Sequence, residues 1–452
     1  MDDIFIKIFS IIISLGLLSI VLLAKSHVGT LLNPGSMFAG AWFLYTSVPL
    51  ILIFNAPVNP LSILFILICS LFFAVPIFLF NWRKAFISFE KSKKRANFLI
   101  ETQSTFLFVC LWICCLFGII FSVWTMIING WSINEMLFDT LATSGRFAAV
   151  RGNEGMEYGV IGTLGVFFTY LTATIGGIVY GARFSNSKKL VYLGLSFAPG
   201  VLTMVIQSSK LIFLISSLFF VGSLVLIKIY KIKLNVFEFR FFKNCIISFL
   251  MVSPFILASF LSRENDGNLD SLSATLNMLM YAFASYALGQ IYAFSDFFAF
   301  YIGQPSISNY LIDYDNFGAY TFTSIHKLFG INKDFPPGLY LETGYYLDVF
   351  ETNIFTIFRG MIYDFGIIGT LLVFLILGTI STFAFYGILR GYCRVFSNVI
   401  FVHITVFIFI SYLFSVFMAR YMYSNAIAFY IILILNKFIV YKKLHSSPLR
   451  LI

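Results

Sequence analysis

Long apolar runs separated by short polar connections set the rhythm of this chain, and one long polar stretch from Ser262 to Arg359 breaks it. A membrane-crossing helix needs about 20 mostly apolar residues. Runs of that kind predict about eleven spans, at Ile4–Ala24, Met37–Phe54, Leu61–Phe80, Thr105–Ile128, Gly159–Ala182, Leu190–Ile206, Leu211–Ile227, Cys245–Leu261, Met361–Leu389, Val399–Met418 and Ala426–Val440. The pattern is that of an all-α polytopic membrane protein. It divides the chain into N-terminal helices (1–261, with a shorter polar loop at 129–158), a large late loop (262–360) and C-terminal helices with a tail (361–452). Within the large loop, Met278–Ile302 is apolar and aromatic but interrupted by Gln290, Ser295 and Asp296. A crossing there would invert the acidic region that follows. The expectation is therefore a helix lying in the outer interface or dipping partway in, with Tyr281, Tyr286, Tyr292 and Tyr301 at headgroup level.

Composition supports the span reading. Hydrophobic residues make up 60% of the 452 positions and charged residues 11%, against about a quarter charged in soluble domains. The net charge of +10 is mostly a matter of sidedness. Lys25, the run Arg83 to Arg95, Arg183 to Lys189, Lys228 to Lys243, Arg390, Arg394 and the C-terminal lysines fall on one set of connections, with few acids among them. By the positive-inside rule those loops face the cytoplasm, which places both long polar loops outside. The charge is then no signal for nucleic acid. The six cysteines fall in spans or on the cytoplasmic side, implying no disulfide framework, and the four histidines lack zinc-ligand spacing. No metal or cofactor is called for.

Few cations remain on the outer face. Arg146 and Arg151 stand in a glycine-punctuated loop and read either as a diphosphate grip through forked N–H donors or as contacts to lipid phosphate. Lys210 sits between two spans with almost no loop, and Arg420 enters a later span beside Tyr421 and Tyr423; each reads as a pocket cation or an interfacial anchor. Arg359 and Tyr363 are four residues apart and share a helical face, with Asp364 adjacent and Gly360, Gly366 and Gly369 permitting close approach. Further back, Tyr320, His326 and Lys327, then Asp348 and Glu351, mix aromatic faces, carboxylates and cations. Rings that stack on sugar C–H faces and acids that accept from hydroxyls suit a carbohydrate. An amphipathic loop folded on the membrane has the same composition.

These residues also resemble a family. Gly318-Ala-Tyr320-Thr-Phe322, Asn353-Ile-Phe-Thr-Ile-Phe-Arg359 and Tyr363-Asp-Phe-Gly366-Ile-Ile-Gly369 are similar to segments of the Wzy O-antigen polymerases, in which a large late periplasmic loop ends in an aromatic-Arg stretch and a Tyr-Asp-Phe-Gly turn. Arg151 with Gly162 fits an Arg-x10-Gly spacing found in that family; the same spacing from Arg359 ends at Thr370. The resemblance implies a GT-C-like, metal-independent glycosyltransferase of the bacterial inner membrane with its site facing the periplasm. It would move a growing glycan from undecaprenyl diphosphate to the non-reducing end of a new lipid-linked repeat unit. A chain-length regulator is an implied partner beside the bilayer and the undecaprenyl-diphosphate-linked oligosaccharide. Arg359, Arg151, Asp364 and Glu351 become the expected catalytic residues. Lys210, Arg146, Arg420, Tyr363, Tyr320, His326, Lys327 and Asp348 are the expected substrate-binding ones. A flippase for the same units and an O-antigen ligase are the alternatives.

Overall fold

The computed structural model describes residues 2–91, 105–132, 134, 159–182, 189–207, 210–231, 277, 280–308, 310, 317–330, 340, 342–346 and 350–445. The chain is a multi-pass, all-α membrane protein. Among the described residues, nine helices are long and apolar enough to cross a bilayer. In chain order the elements are α1 (Asp2–Val28), α2 (Pro34–Leu52), α3 (Pro60–Ala74), α4 (Trp82–Lys91), α5 (Thr105–Ile128), α6 (Gly159–Ala182), α7 (Lys189–Gln207) and α8 (Lys210–Tyr230). Then follow α9 (Gln290–Tyr301), α10 (Thr323–Leu328), the strands β1 (Gly344–Tyr346) and β2 (Phe350–Thr352), α11 (Ile357–Arg390), α12 (Arg394–Ile410) and α13 (Arg420–His445). The expected span at Cys245–Leu261 lies outside the described residues. The one expected at Val399–Met418 is corrected: α12 has 17 residues and stops at Ile410. The chain turns there because the Ser411 carbonyl accepts the Ile357 N–H at 2.9 Å instead of continuing a helix.

The contacts divide the chain into two compact units assembled from interleaved stretches: Met1–Ile87, Ser271–Arg390 and Ile404–Met422 in one, Ser88–Asp270, Gly391–His403 and Tyr423–Ile452 in the other. In the second unit α5, α6, α7 and α8 pack together. Lipid offers helices no hydrophobic reason to associate, so small and hydrogen-bonding residues do that work. The Ser122 and Thr203 hydroxyls meet at 2.8 Å, Asn425 donates to Thr174 at 3.4 Å, and Tyr230 donates to Asn398 at 2.9 Å.

The first unit is an aromatic column. Phe38 stacks on Phe73 at 4.4 Å and faces Phe374 and Phe407; Trp42 meets Phe358 at 4.7 Å, and Phe358 meets Phe294 at 5.4 Å. Gly378 of α11 lies so close to the Phe73 carbonyl of α3 that any side chain there would collide with backbone. Helix α9 is part of this interior. Only its approach is open, with Tyr281 and Tyr286 exposed, whereas residues Gln290 to Ala299 are buried throughout. Of the expected interfacial or partly dipping helix at 278–302, the second half is thus enclosed by protein, because its phenylalanines pack onto α3 and α11.

A buried lysine ties this unit together. Lys7 of α1 is 2% exposed, and its ammonium donates to the Ala56 carbonyl at 2.7 Å and to the Tyr292 hydroxyl at 3.0 Å. The Tyr292 hydroxyl in turn faces the carbonyls of Pro49 and Ile53 at 2.9 and 2.7 Å. Pro49 lies in the last turn of α2 and Ile53 caps it, the Ile53 N–H itself donating to the Pro49 carbonyl at 2.9 Å. Tyr292 brings its hydroxyl to these carbonyls from α9, while Lys7 serves the Ala56 carbonyl just past the helix.

Candidate functional site

Helix α11 is two helices joined at a kink. Its first nine residues end at Phe365, and Gly366 adopts φ 66° and ψ −177°, a conformation essentially closed to residues with a Cβ. The break leaves a short helix, Ile357 to Phe365, carrying Arg359, Tyr363 and Asp364 on the inner side of the unit. All three are buried.

Arg359 is 1% exposed. A guanidinium that deep is costly unless paired and solvated by the protein. One Nη2 bond goes to the Glu342 carboxylate at 2.8 Å, and the Tyr363 hydroxyl lies 3.4 Å from the same nitrogen. Around it stand five rings: Tyr340 and Phe355 at 3.8 and 4.0 Å from Cζ, then Tyr310, Phe297 and Tyr363 at 4.9, 5.2 and 5.4 Å. Ring faces attract a cation, by about 2 kcal/mol where water is excluded. They accept no conventional hydrogen bonds, however. Among the described residues, Nε and Nη1 of Arg359 and Oγ1 of Thr356, just before the helix, have no hydrogen-bond partner.

Two carboxylates hold the walls. Asp296 accepts from the Tyr310 hydroxyl at 2.8 Å and from the N–H groups of Ile307 and Ser308 at 2.6 and 3.2 Å, which folds the chain after α9 back over the site. Burial, with the Asp296 charge adding to it, pushes the Tyr310 phenol well above its ordinary range. Burial raises Tyr340 as well, against the pull of the Arg359 charge. Both therefore stay neutral phenols. Asp364 takes the N–H groups of Tyr320 and Thr321 at 2.9 and 2.6 Å, one on each oxygen. That pins the 317–330 loop, whose Tyr320 ring then stacks on Tyr363 at 5.3 Å and on Tyr340 at 6.1 Å. The loop is tied again through Ser415, which donates to the Thr321 carbonyl at 3.2 Å, and through Ser324, which donates to the Met418 carbonyl.

Of the residues singled out in the sequence, Arg359, Tyr363, Asp364 and Tyr320 come together here. His326 is half-buried on α10 and Lys327 beside it is exposed. Glu351 lies on β2, where its N–H donates to the Tyr281 hydroxyl at 3.1 Å. Lys210 opens α8 in the second unit, and Arg420 is exposed at the start of α13. Arg146, Arg151 and Asp348 lie outside the described residues. Sequence reasoning missed Glu342, Tyr340, Tyr310 and Asp296. The Tyr340-x-Glu342 pair belongs to the same aromatic and acidic run as Tyr345 to Glu351, yet nothing in its spacing singles out Glu342 as the partner of an arginine 17 positions later.

The arrangement can bind an anion at the unused guanidinium edge and pack an apolar or sugar face against its ring walls. No group of three or more His, Cys, Asp or Glu side chains with metal-binding proximity occurs among the described residues. No protein-family model, curated protein or solved structure matches this chain.

Proposed function

We propose that this chain is a surface-polysaccharide polymerase that transfers a glycan from a lipid diphosphate to the end of a second lipid-linked oligosaccharide. The observation carrying this reading is a buried guanidinium at the start of a kinked helix, walled by tyrosines, with two of its nitrogens lacking acceptors among the described residues. An oligosaccharide diphosphate needs such a partner. As the bond from the sugar C1 to the phosphate oxygen breaks, its electron pair moves onto the diphosphate, and a preorganised guanidinium in a dry site stabilises that charge. The acceptor hydroxyl attacks C1 and gives its proton to a carboxylate. Glu342, at hydrogen-bond distance from Arg359, adjoins the leaving-group cradle and takes that role here. Asp364 instead spends both oxygens on the Tyr320–Thr321 backbone and serves as a positioning residue. The reading keeps the site on the outer face of a bacterial inner membrane, as the charge asymmetry of the loops implies.

The test is the lipopolysaccharide profile of a strain carrying Arg359→Ala in place of the native gene, with protein amount measured in the membrane fraction. The expected result is core capped by a single repeat unit, with protein present at the native level. A normal ladder overturns the site. Loss of all repeat units from the core assigns the protein to flipping or ligation instead.

A further inference from the structure

Gln290 is the anomaly of the first unit. It opens α9 in an otherwise aromatic stretch, is 0% exposed, and neither its amide oxygen nor its amide nitrogen is hydrogen-bonded among the described residues. Buried amides nearly always satisfy both ends, and this one forgoes an acceptor and two donor hydrogens. Its position on the helix matters. Gln290, Phe294 and Phe297 fall at i, i+4 and i+7, one face of α9. Phe297 is the ring that faces both Arg359 and Tyr363, and Phe294 rests on Phe358 at the start of α11. The amide therefore lies on the same face of α9 as Phe297, about 10 Å along the axis from it.

The backbone just before it is also irregular. Ala284–Leu288 form a π-helical turn, closed by the Gly289 N–H donating to the Ala284 carbonyl at 2.8 Å. Such turns insert one residue and tend to occur at functional positions. The β1–β2 hairpin covers this turn. Gly289 packs against Phe350 and Thr352, and the Thr352 hydroxyl donates to the Ser285 carbonyl at 3.0 Å. On the same hairpin the buried Tyr346 hydroxyl has no hydrogen-bond partner among the described residues, and burial followed by the nearby Tyr310 and Asp296 raises its pKa.

We propose that Gln290 is the recognition group of a pyranose subsite continuing inward from the Arg359 pocket and covered by the β1–β2 hairpin. A carboxamide suits a vicinal diol. One hydroxyl donates to Oε1 while its neighbour accepts from Nε2, and the aromatic face of α9 runs alongside. This assignment rests on the lipid-linked glycan reading for the source of the sugar. The subsite itself is tested independently of that source.

The experiment uses the full chain in lipid nanodiscs, with thermal unfolding followed as methyl glucoside, methyl galactoside, methyl mannoside or inorganic pyrophosphate is added. At least one glycoside stabilises the native chain, and Gln290→Leu weakens that glycoside by on the order of tenfold or more, the loss of two neutral hydrogen bonds. The pyrophosphate response of the variant stays native, and its unliganded melting temperature does not fall, since an apolar side chain replaces an unsatisfied amide. Gln290→Met, closer in length, is the second variant should leucine disturb packing. A native glycoside response in either variant, or no glycoside response in the native chain, overturns the subsite and leaves Gln290 solvated only by internal water. If Arg359→Ala makes a normal ladder while glycoside binding still depends on Gln290, the polymerase reading falls and the subsite stands.

Discussion

Two buried cations in the first unit invite comparison, Lys7 and Arg359. Both are almost wholly enclosed, and both lie against tyrosine rings. The Lys7 ammonium is answered by the Ala56 carbonyl just past α2 and by the Tyr292 oxygen, whose hydroxyl faces the carbonyls of Pro49 and Ile53. Among the described residues, Arg359 has one carboxylate and a ring of π faces for five N–H hydrogens, so two of its nitrogens face no acceptor. An under-satisfied buried charge is uncommon and concentrates at functional positions. Lys7 reads as a structural tie and Arg359 as a binding group.

The largest effect that separates them is on activity. Arg359→Ala is expected to lower polymer formation by on the order of a hundredfold to a thousandfold, the scale of one lost charge-stabilising donor group, with protein level held. Arg359→Lys should behave nearly the same, because an ammonium lacks the planar fork and stacks poorly between rings. Ladder density against membrane protein amount reads both. Lys7→Met reverses the pattern. It removes two charge-assisted hydrogen bonds and should cost about 4 kcal/mol of stability, while polymer per folded molecule is unchanged. Equal loss of specific activity in both variants would erase the distinction drawn here.

Smaller changes sharpen it. Gly366→Ala places a Cβ in a glycine-only conformation, with no steric neighbour closer than the Tyr301 hydroxyl at 3.7 Å. It should cost about 3 kcal/mol from the backbone alone, read as a lowered melting temperature. Asp364→Asn turns one acceptor of the Tyr320–Thr321 clamp into a donor facing a donor, an expected loss of about 2 kcal/mol. Proteolysis within 317–330 should rise in that variant while Arg359→Ala leaves it native.

Much of the fold was legible because lipid imposes a simple rule. Runs such as Thr105–Ile128 and Gly159–Ala182 coincide with their helices to the residue, since a lipid-exposed backbone has no way to bond except within a helix. The rule fails where protein replaces lipid. Residues 411–418 are apolar enough to prolong α12, yet Ser411 bonds Ile357 and the chain turns. The aromatic stretch after Met278 reads as interfacial by its tyrosines, yet burial of Tyr292 over the end of α2 draws it inside. Lys7 gave no signal at all, being a lone cation near the end of an apolar run.

The sequence by itself determined that the chain is a bundle of membrane helices and that the approach to α11 concentrates charge, rings and glycine. It singled out Arg359, Tyr363, Asp364 and Tyr320, because a cation, a carboxylate and tyrosines at the edge of lipid are expensive enough to stand out. Only the tertiary structure decided which acid meets the arginine, which tyrosines wall it and that Gln290 is enclosed without a hydrogen-bond partner among the described residues. Those choices depend on contacts between residues tens of positions apart, and no local period records a partner across such a loop.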